Sequence, residues 1–284
     1  MQSVYDQLLE KGFDRTGTII ALGGSVVGDI GGYVAATFMR GVNFLQCPTS
    51  LLAMVDTSVG GKTSIDLPQG KNMIGVYKQP AKIIADVATL QTLPKSDFAS
   101  GLAEIVKYGL IAESNLLEQV EDGDLGKNWN QIPLNIGELQ NLVAQAIQVK
   151  INIVQTDPFE QGQRPILNLG HTFAYAIEQV SGDAFRHGEA VSIGLVAAVN
   201  LSARLGYCDA SLQNRIEAIL RSVNLPIQIP TQLKPDAIFQ AMQRDKKKQA
   251  GRLRFILISG IGRAFVSDEV PKREVMETIS ALYD

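Results

Sequence analysis

Histidine is among the scarcest residues in this chain: only His171 and His187 occur in 284 residues. Cysteine is equally rare. Cys47 and Cys208 cannot make a disulfide framework, so a reducing, cytoplasmic setting is expected. No apolar run is long enough to span a bilayer, and Met1 to Lys11 is too polar for a signal peptide. That predicts a chain with no membrane partner. Neither charge sign is in marked excess, and a net charge of −3 argues against nucleic-acid binding. No repeat or low-complexity tract breaks the chain. With 45% hydrophobic and 19% charged residues, the balance is that of an ordered globular protein with ample core. The run Lys246–Lys248 is the one dense basic cluster, either a solvated face or a holder for an anionic group.

The pattern that is present changes character near Leu93–Pro94. Before it, strands and a glycine turn alternate with helices. Thr18 to Leu22 is a continuous apolar run rich in β-branched residues, as in a buried parallel strand. Gly23 to Asp29 makes a glycine-containing turn, and Ile30 to Arg40 reads as a helix. Asn43 to Cys47 is a second strand, after which Thr49 or Ser50 caps a helix over Leu51–Val55. A polar loop is expected from Asp56 to Gly75, and a third strand over Lys82–Ala85. After Pro94, amphipathic stretches dominate: 97–112, 136–154, 172–180, 189–205, 211–223 and 237–244. A small hairpin is expected across Gly260–Gly262. The reading is an α/β Rossmann-like nucleotide-binding part over residues 1–93, followed by a mostly α-helical metal-binding domain over residues 94–284. Three strands are few for a nucleotide-binding sheet, so the α/β part is expected to be incomplete, with an exposed sheet edge.

Several constellations carry chemistry. The turn Gly23–Asp29 can bring backbone N–H groups to a phosphate at a helix start, though a tight strand-to-helix turn alone would look the same. GGKT at Gly60–Thr63 is not a P-loop, because Asp56 stands where the pattern needs glycine. Lys62, Lys71 and Asn72 suit an anionic small molecule. His171 and His187 each adjoin a glycine where a helix begins. With a carboxylate from elsewhere they would make a catalytic zinc site. Their sixteen-residue spacing is no strict zinc signature. Glu104, on a small-sided helix with Lys107 three residues on, is the candidate third ligand. Arg164 suits a carboxylate through its planar fork. Asn168 and Lys150 could serve the same place.

The runs GGSVVGDIGG, RGVNFLQCPTSLLAMVDTSVGGKT, GKNMIG, LPKSDFASGLAEIVKYG, RPILNLGHTF, HGEAVSIG and RDKK occur in this order. Together they resemble 3-dehydroquinate synthase, a member of the sugar-phosphate cyclases, from about Gly17 to the end. The resemblance implies NAD and zinc (or cobalt) as cofactors, a homodimer, and an active site between the two parts. It implies metal ligation by Glu104, His171 and His187. It places Ser25, Val26, Val27, Gly28, Asp29, Thr49, Ser50, Thr89, Leu90, Gln91 and Thr92 on the dinucleotide, with Lys62 and Lys71 near it. Asp56, Lys62, Lys71, Asn72, Lys107, Lys150, Arg164, Asn168 and one of Lys246 and Lys247 match substrate-contacting positions. Arg40 matches a residue that reaches the site across a dimer interface. The implied reaction converts 3-deoxy-arabino-heptulosonate 7-phosphate to 3-dehydroquinate with loss of phosphate, in the shikimate pathway. A sister cyclase with another sugar phosphate, or a non-catalytic paralogue, is the alternative. One departure bears on that choice. The family usually reads HTFGH, whereas this chain has Ala174 and Tyr175 in the last two positions. A tyrosine, with a pKa near about 10, is a poor proton carrier at neutral pH. The family also carries several strand–helix units before the stretch matching Gly17.

Overall fold

The structure, a computed structural model, describes residues 1–67, 70–122, 136–182, 184–244 and 253–283, with Gly70 and Lys71 described by backbone alone. The chain forms two compact units, Met1–Pro94 with Asn135–Ile151, and Lys95–Leu134 with Asn152–Asp284. The first therefore takes residues 135–151, which the division at residue 93 assigns to the helical part. The pairing of Lys150 with Asp56, described below, lies within it.

In the first unit, helix α1 (Gln2–Glu10) precedes strand β1 (Thr18–Gly23), and α2 (Ser25–Thr37) follows without a loop. Strand β2 (Asn43–Pro48) pairs parallel with β1, Thr18 opposite Asn43 through Gly23 opposite Pro48. The short β5 (Lys82–Ile83) pairs parallel with the other edge of β2, giving the order β1-β2-β5. Ala21, with the partly buried Ile19 beside it, turns one face of β1 toward α2. Ala21, Val34, Ala35, Phe38, Val42 and Phe44 make a buried cluster there. On the opposite face of β1, Ile20 and Leu22 are 60% and 68% exposed. The close approach of α2 needs glycine: a Cβ on Gly32 would stand 2.3 Å from Thr63 Cγ2.

The expected loop over 56–75 is in fact mostly an antiparallel hairpin, β3 (Lys62–Leu67) with β4 (Gly70–Tyr77). Its register shifts between Ile65 and Leu67, and Asn72 takes a left-handed φ of +53°. The polar residues, with glycines at 60, 61, 70 and 75, hide the strand pattern, because β4 is exposed from Asn72 to Tyr77 and the one buried residue of β3 is the polar Thr63. The expected helix over 51–55 begins as such and continues as a short helical turn, Ala53–Thr57, with Ser50 Oγ accepting from the Ala53 N–H at 3.3 Å.

The second unit is helical. Helix α3 (Lys95–Ile111) is buried at every position from Ser100 to Ile111. Helix α4 (Ser114–Asp122), which the periodicity reading misses, follows after a two-residue break. Helix α5 (Ile136–Thr156) is shared between the units. Then come α6 (His171–Ser181), α7 (His187–Arg204), α8 (Ser211–Ser222), α9 (Pro235–Gln243), the hairpin β6 (Phe255–Ile258) with β7 (Ala264–Ser267), and α10 (Lys272–Ala281). Helix α7 is buried at most positions from Gly188 to Ser202 and packs on α3, α6, α8 and β6. A helix apolar all round sits at the centre of its unit. No helix among the described residues is long and apolar enough to cross a membrane.

Candidate metal centre

Three helices of the second unit bring Glu104, His171 and His187 together, with ligand atoms all within 4.8 Å of one another. His171 is the first residue of α6 and His187 the first of α7, while Glu104 lies inside α3. Glycines make this convergence possible. Gly170 has a left-handed φ of +79°, and a Cβ on Gly194 of α7 would stand 2.2 Å from Gly170 O. The start of α6 therefore lies directly on the backbone of α7. The start of α7 lies as closely on α3: the Gly188 N–H donates to Ser100 Oγ at 2.8 Å. Glu189 reaches back to accept from the Arg186 N–H at 2.8 Å, and the Arg186 guanidinium donates to Asp97 at 3.0 Å. These bonds hold the first turn of α7.

The donor geometry suits a metal. His171 Nε2 and His187 Nε2 each lie 3.5 Å from Glu104 Oε1. Two ligands about 2.1 Å from a tetrahedral zinc are roughly 3.4 Å apart. The second nitrogen of each ring is already engaged. His171 Nδ1 is 3.1 Å from Leu169 O, and His187 Nδ1 is 2.8 Å from Glu178 Oε1. With Nδ1 already engaged, Nε2 is the ring atom of each histidine that is left to face Glu104 and to serve a metal. The other Glu104 oxygen, Oε2, forms an ion pair with Lys107, both side chains being almost wholly buried. Two imidazole nitrogens and one carboxylate oxygen are the donor set of a catalytic zinc site, with coordination left for substrate. Metal-free, burial works against a charged His187, but its contacts with Glu104 and Glu178 outweigh this and hold its pKa up at about 9. A cation entering the trio thus displaces a proton.

The other expected residues divide between the units. In the second, Arg164 is buried, and its guanidinium donates to Pro158 O. Asn168 donates to Glu160 Oε1 at 3.0 Å and to Pro165 O at 3.1 Å. Asp157 organises this loop by accepting from the backbone N–H groups of Gln161, Gly162 and Arg164. The Tyr175 ring stands edge-on to His171, centroids 5.4 Å apart, and stacks near His187 at 6.2 Å.

In the first unit, Lys150 Nζ donates to Asp56 O and Asp56 Oδ1, both at 2.6 Å. Ser25 to Asp29 open α2, where the Gly28 N–H already donates to Gly24 O at 3.1 Å, and the N–H groups before it, at the helix start, suit a phosphate. Thr57 donates to Ser25 Oγ at 3.0 Å. Thr49 and Ser50 follow β2, and Thr89 to Thr92 fall in a short helical turn capped by Asp86. Lys62 and Asn72 lie on the hairpin rather than in a loop, and the Asn72 N–H donates to Asp66 at 2.8 Å. Arg40 is exposed, with a φ of +68°. The Lys71 side chain, Lys246 and Lys247 lie outside the described residues. The motif reading missed Glu178 and Ser100. Glu178 was detectable: it lies seven residues after His171, two helical turns along the same face.

Burial, with Asp66 and Asp56 adding like charge and Lys150 opposing them, pushes Asp29 from 3.8 to about 7. The native state therefore holds a proton that the unfolded chain releases between about pH 4 and pH 7, so this group lowers stability as pH rises through that window. Asp29→Asn is expected to remove the effect. The urea midpoint of the variant relative to the parent should rise between pH 4.5 and pH 7 and stay level above. A difference independent of pH would contradict it.

The comparisons agree with this architecture. A 2-epi-5-epi-valiolone synthase structure from Streptomyces hygroscopicus, with NAD+ and Zn2+ bound, is 26% identical with a TM-score of 0.91. The match covers 99% of this chain and 78% of that one. A 2-deoxy-scyllo-inosose synthase structure, complexed with carbaglucose-6-phosphate, NAD+ and Co2+, is 27% identical with a TM-score of 0.88. It covers 98% of this chain and 77% of that one. The fold is that of the sugar-phosphate cyclases. Within that class, residues 1–100 match the 3-dehydroquinate synthase N-terminal family and residues 101–248 the 3-dehydroquinate synthase C-terminal family. A 3-dehydroquinate synthase from Synechococcus sp. is 42% identical over 283 residues, 99% of this chain and 76% of that relative. The chain belongs to the 3-dehydroquinate synthase family.

Proposed function

We infer that the chain catalyses its family's reaction, the cyclisation of 3-deoxy-arabino-heptulosonate 7-phosphate to 3-dehydroquinate with elimination of phosphate. It is a carbon–oxygen lyase of the shikimate pathway, dependent on NAD and on zinc or cobalt. The observation that carries the reading is the convergence of both histidine Nε2 atoms on Glu104 Oε1, in a chain 42% identical to a synthase over nearly its whole length. The sister-cyclase alternative is not favoured, since the solved relatives of that kind are 26% and 27% identical.

In this reading Glu104, His171 and His187 hold the metal. When bound, the metal supplies Lewis acidity at substrate hydroxyls and the dinucleotide a hydride acceptor. Ser25 to Asp29, Thr49, Ser50 and Thr89 to Thr92 line the dinucleotide. The N–H groups at the start of α2 take its phosphates. Lys107, locked on Glu104, places a positive charge beside the ligand carboxylate. Lys150, held on Asp56, and Lys62 supply point charges for an anionic substrate, with Lys71 and one of Lys246 and Lys247 in the same role and Asn72 adding amide hydrogen bonds. Arg164 and Asn168 orient the substrate carboxylate, and much of the rate comes from holding a flexible substrate in one pose. Exposed Arg40 suits a contact with a second copy, so a homodimer is part of the reading. The two unpaired cysteines fit a cytoplasmic enzyme.

The test is phosphate release from the heptulosonate phosphate by zinc-loaded protein with NAD+, alongside sedoheptulose 7-phosphate and glucose 6-phosphate. Release from the first substrate alone is expected. No release from it by the loaded protein would refute the assignment.

A further inference from the structure

The carboxylate behind His187 belongs to a residue with its own part in this site. Glu178 is 5% exposed, and its Oε1 lies 2.8 Å from His187 Nδ1. A buried carboxylate is costly unless charge or hydrogen bonds compensate it. This one is aimed at the ring nitrogen that does not face Glu104. His187 is also the least buried of the three, its side chain 28% exposed against 5% for His171 and 0% for Glu104. It stands at the first position of α7, and its backbone is held by the neighbouring bonds while its ring is the more exposed.

Helix α6 supplies the missing restraint. His171, Tyr175 and Glu178 occupy one helical face at successive turns. The first faces Glu104, the second stands edge-on to His171 and stacks near His187, and the third holds the far side of His187. We propose that Glu178 is a positioning residue of the metal centre: it holds the Nδ1–H of His187 and fixes the ring orientation, so that Nε2 faces the Glu104 carboxylate before a metal arrives. The proposal rests on Glu104, His171 and His187 being the metal ligands. Acting through His187, Glu178 also raises the basicity of that ligand.

The experiment measures Zn2+ affinity by chelator competition, and the visible spectrum of the Co2+-loaded protein, in the parent, Glu178→Gln and Glu178→Ala. Glu178→Gln keeps volume and an acceptor while losing the charge, and is expected to weaken zinc roughly tenfold. Glu178→Ala is expected to weaken it roughly a hundredfold. The ligand-field bands of the cobalt protein should shift in both. Adding Glu178→Gln to His187→Ala should cause no further loss, because the effect passes through that ring. Should Glu178→Ala not fold, Glu178→Gln and the double variant decide the matter. Equal zinc affinity in the parent and Glu178→Gln overturns the positioning role and leaves the ligand assignment standing. So does an undiminished effect without His187. A parent chain that binds no zinc overturns both.

Discussion

Glu104→Ala is expected to abolish tight zinc binding and to lower the unfolding free energy by roughly 3–5 kcal/mol. Two effects coincide there. The substitution removes the single carboxylate of the trio, to which both Nε2 atoms point at 3.5 Å. It also strips Lys107 of its ion-pair partner while that side chain is only 2% exposed. The penalty is mainly that of leaving an ammonium buried without its counter-charge, a cost far above that of losing a surface pair. Glu104→Gln separates the effects. The amide oxygen still accepts from Lys107, so less stability should be lost, while the anionic ligand is gone. Urea unfolding with zinc stoichiometry measures both. A Glu104→Ala protein as stable as the parent would show that Lys107 finds another anion.

Gly188→Ala should be nearly as damaging, although it changes no ligand. The added methyl would stand 2.0 Å from Ser100 O, 2.4 Å from its Cα and 2.5 Å from its carbonyl carbon. These are backbone atoms of α3, so no rotamer change relieves the clash, and α7 must move away. His187 precedes Gly188, and Glu104 follows Ser100 by one helical turn. The displacement therefore opens the distance between these ligands directly. About 3 kcal/mol of destabilisation is expected, the upper end for overpacking. Zinc should bind at least roughly tenfold more weakly, because ligand placement is lost. Thermal unfolding and chelator competition check the two parts. Unchanged zinc affinity would mean that the start of α7 is not held by its contact with α3.

Much of this was legible in the chain because it depends on short-range pattern. The apolar, β-branched run at Thr18–Leu22 forms a parallel strand, and the glycine turn leads into a helix as its residues require. His171 and His187 do begin helices, since Gly170 and the reach of Glu189 to Arg186 end the preceding loops. Other features depended on partners distant in sequence. The hairpin over 62–77 hides because its second strand is exposed and the one buried residue of its first is the polar Thr63, so no apolar alternation marks it. Lys150 sits on a helix otherwise assigned to the second part, yet bonds Asp56, 94 residues away.

The sequence by itself determined the residue types of the metal centre, the helices that bear them and the family they belong to. Local backbone preference and side-chain chemistry suffice for that. Only the tertiary structure decided that Oε1 of Glu104 faces the histidines while Oε2 faces Lys107, and that Glu178 stands behind His187. The physical reason lies in the helix contacts at Gly170, Gly188 and Gly194. A missing Cβ lets backbones meet, but which backbone each glycine meets is a property of the packed unit.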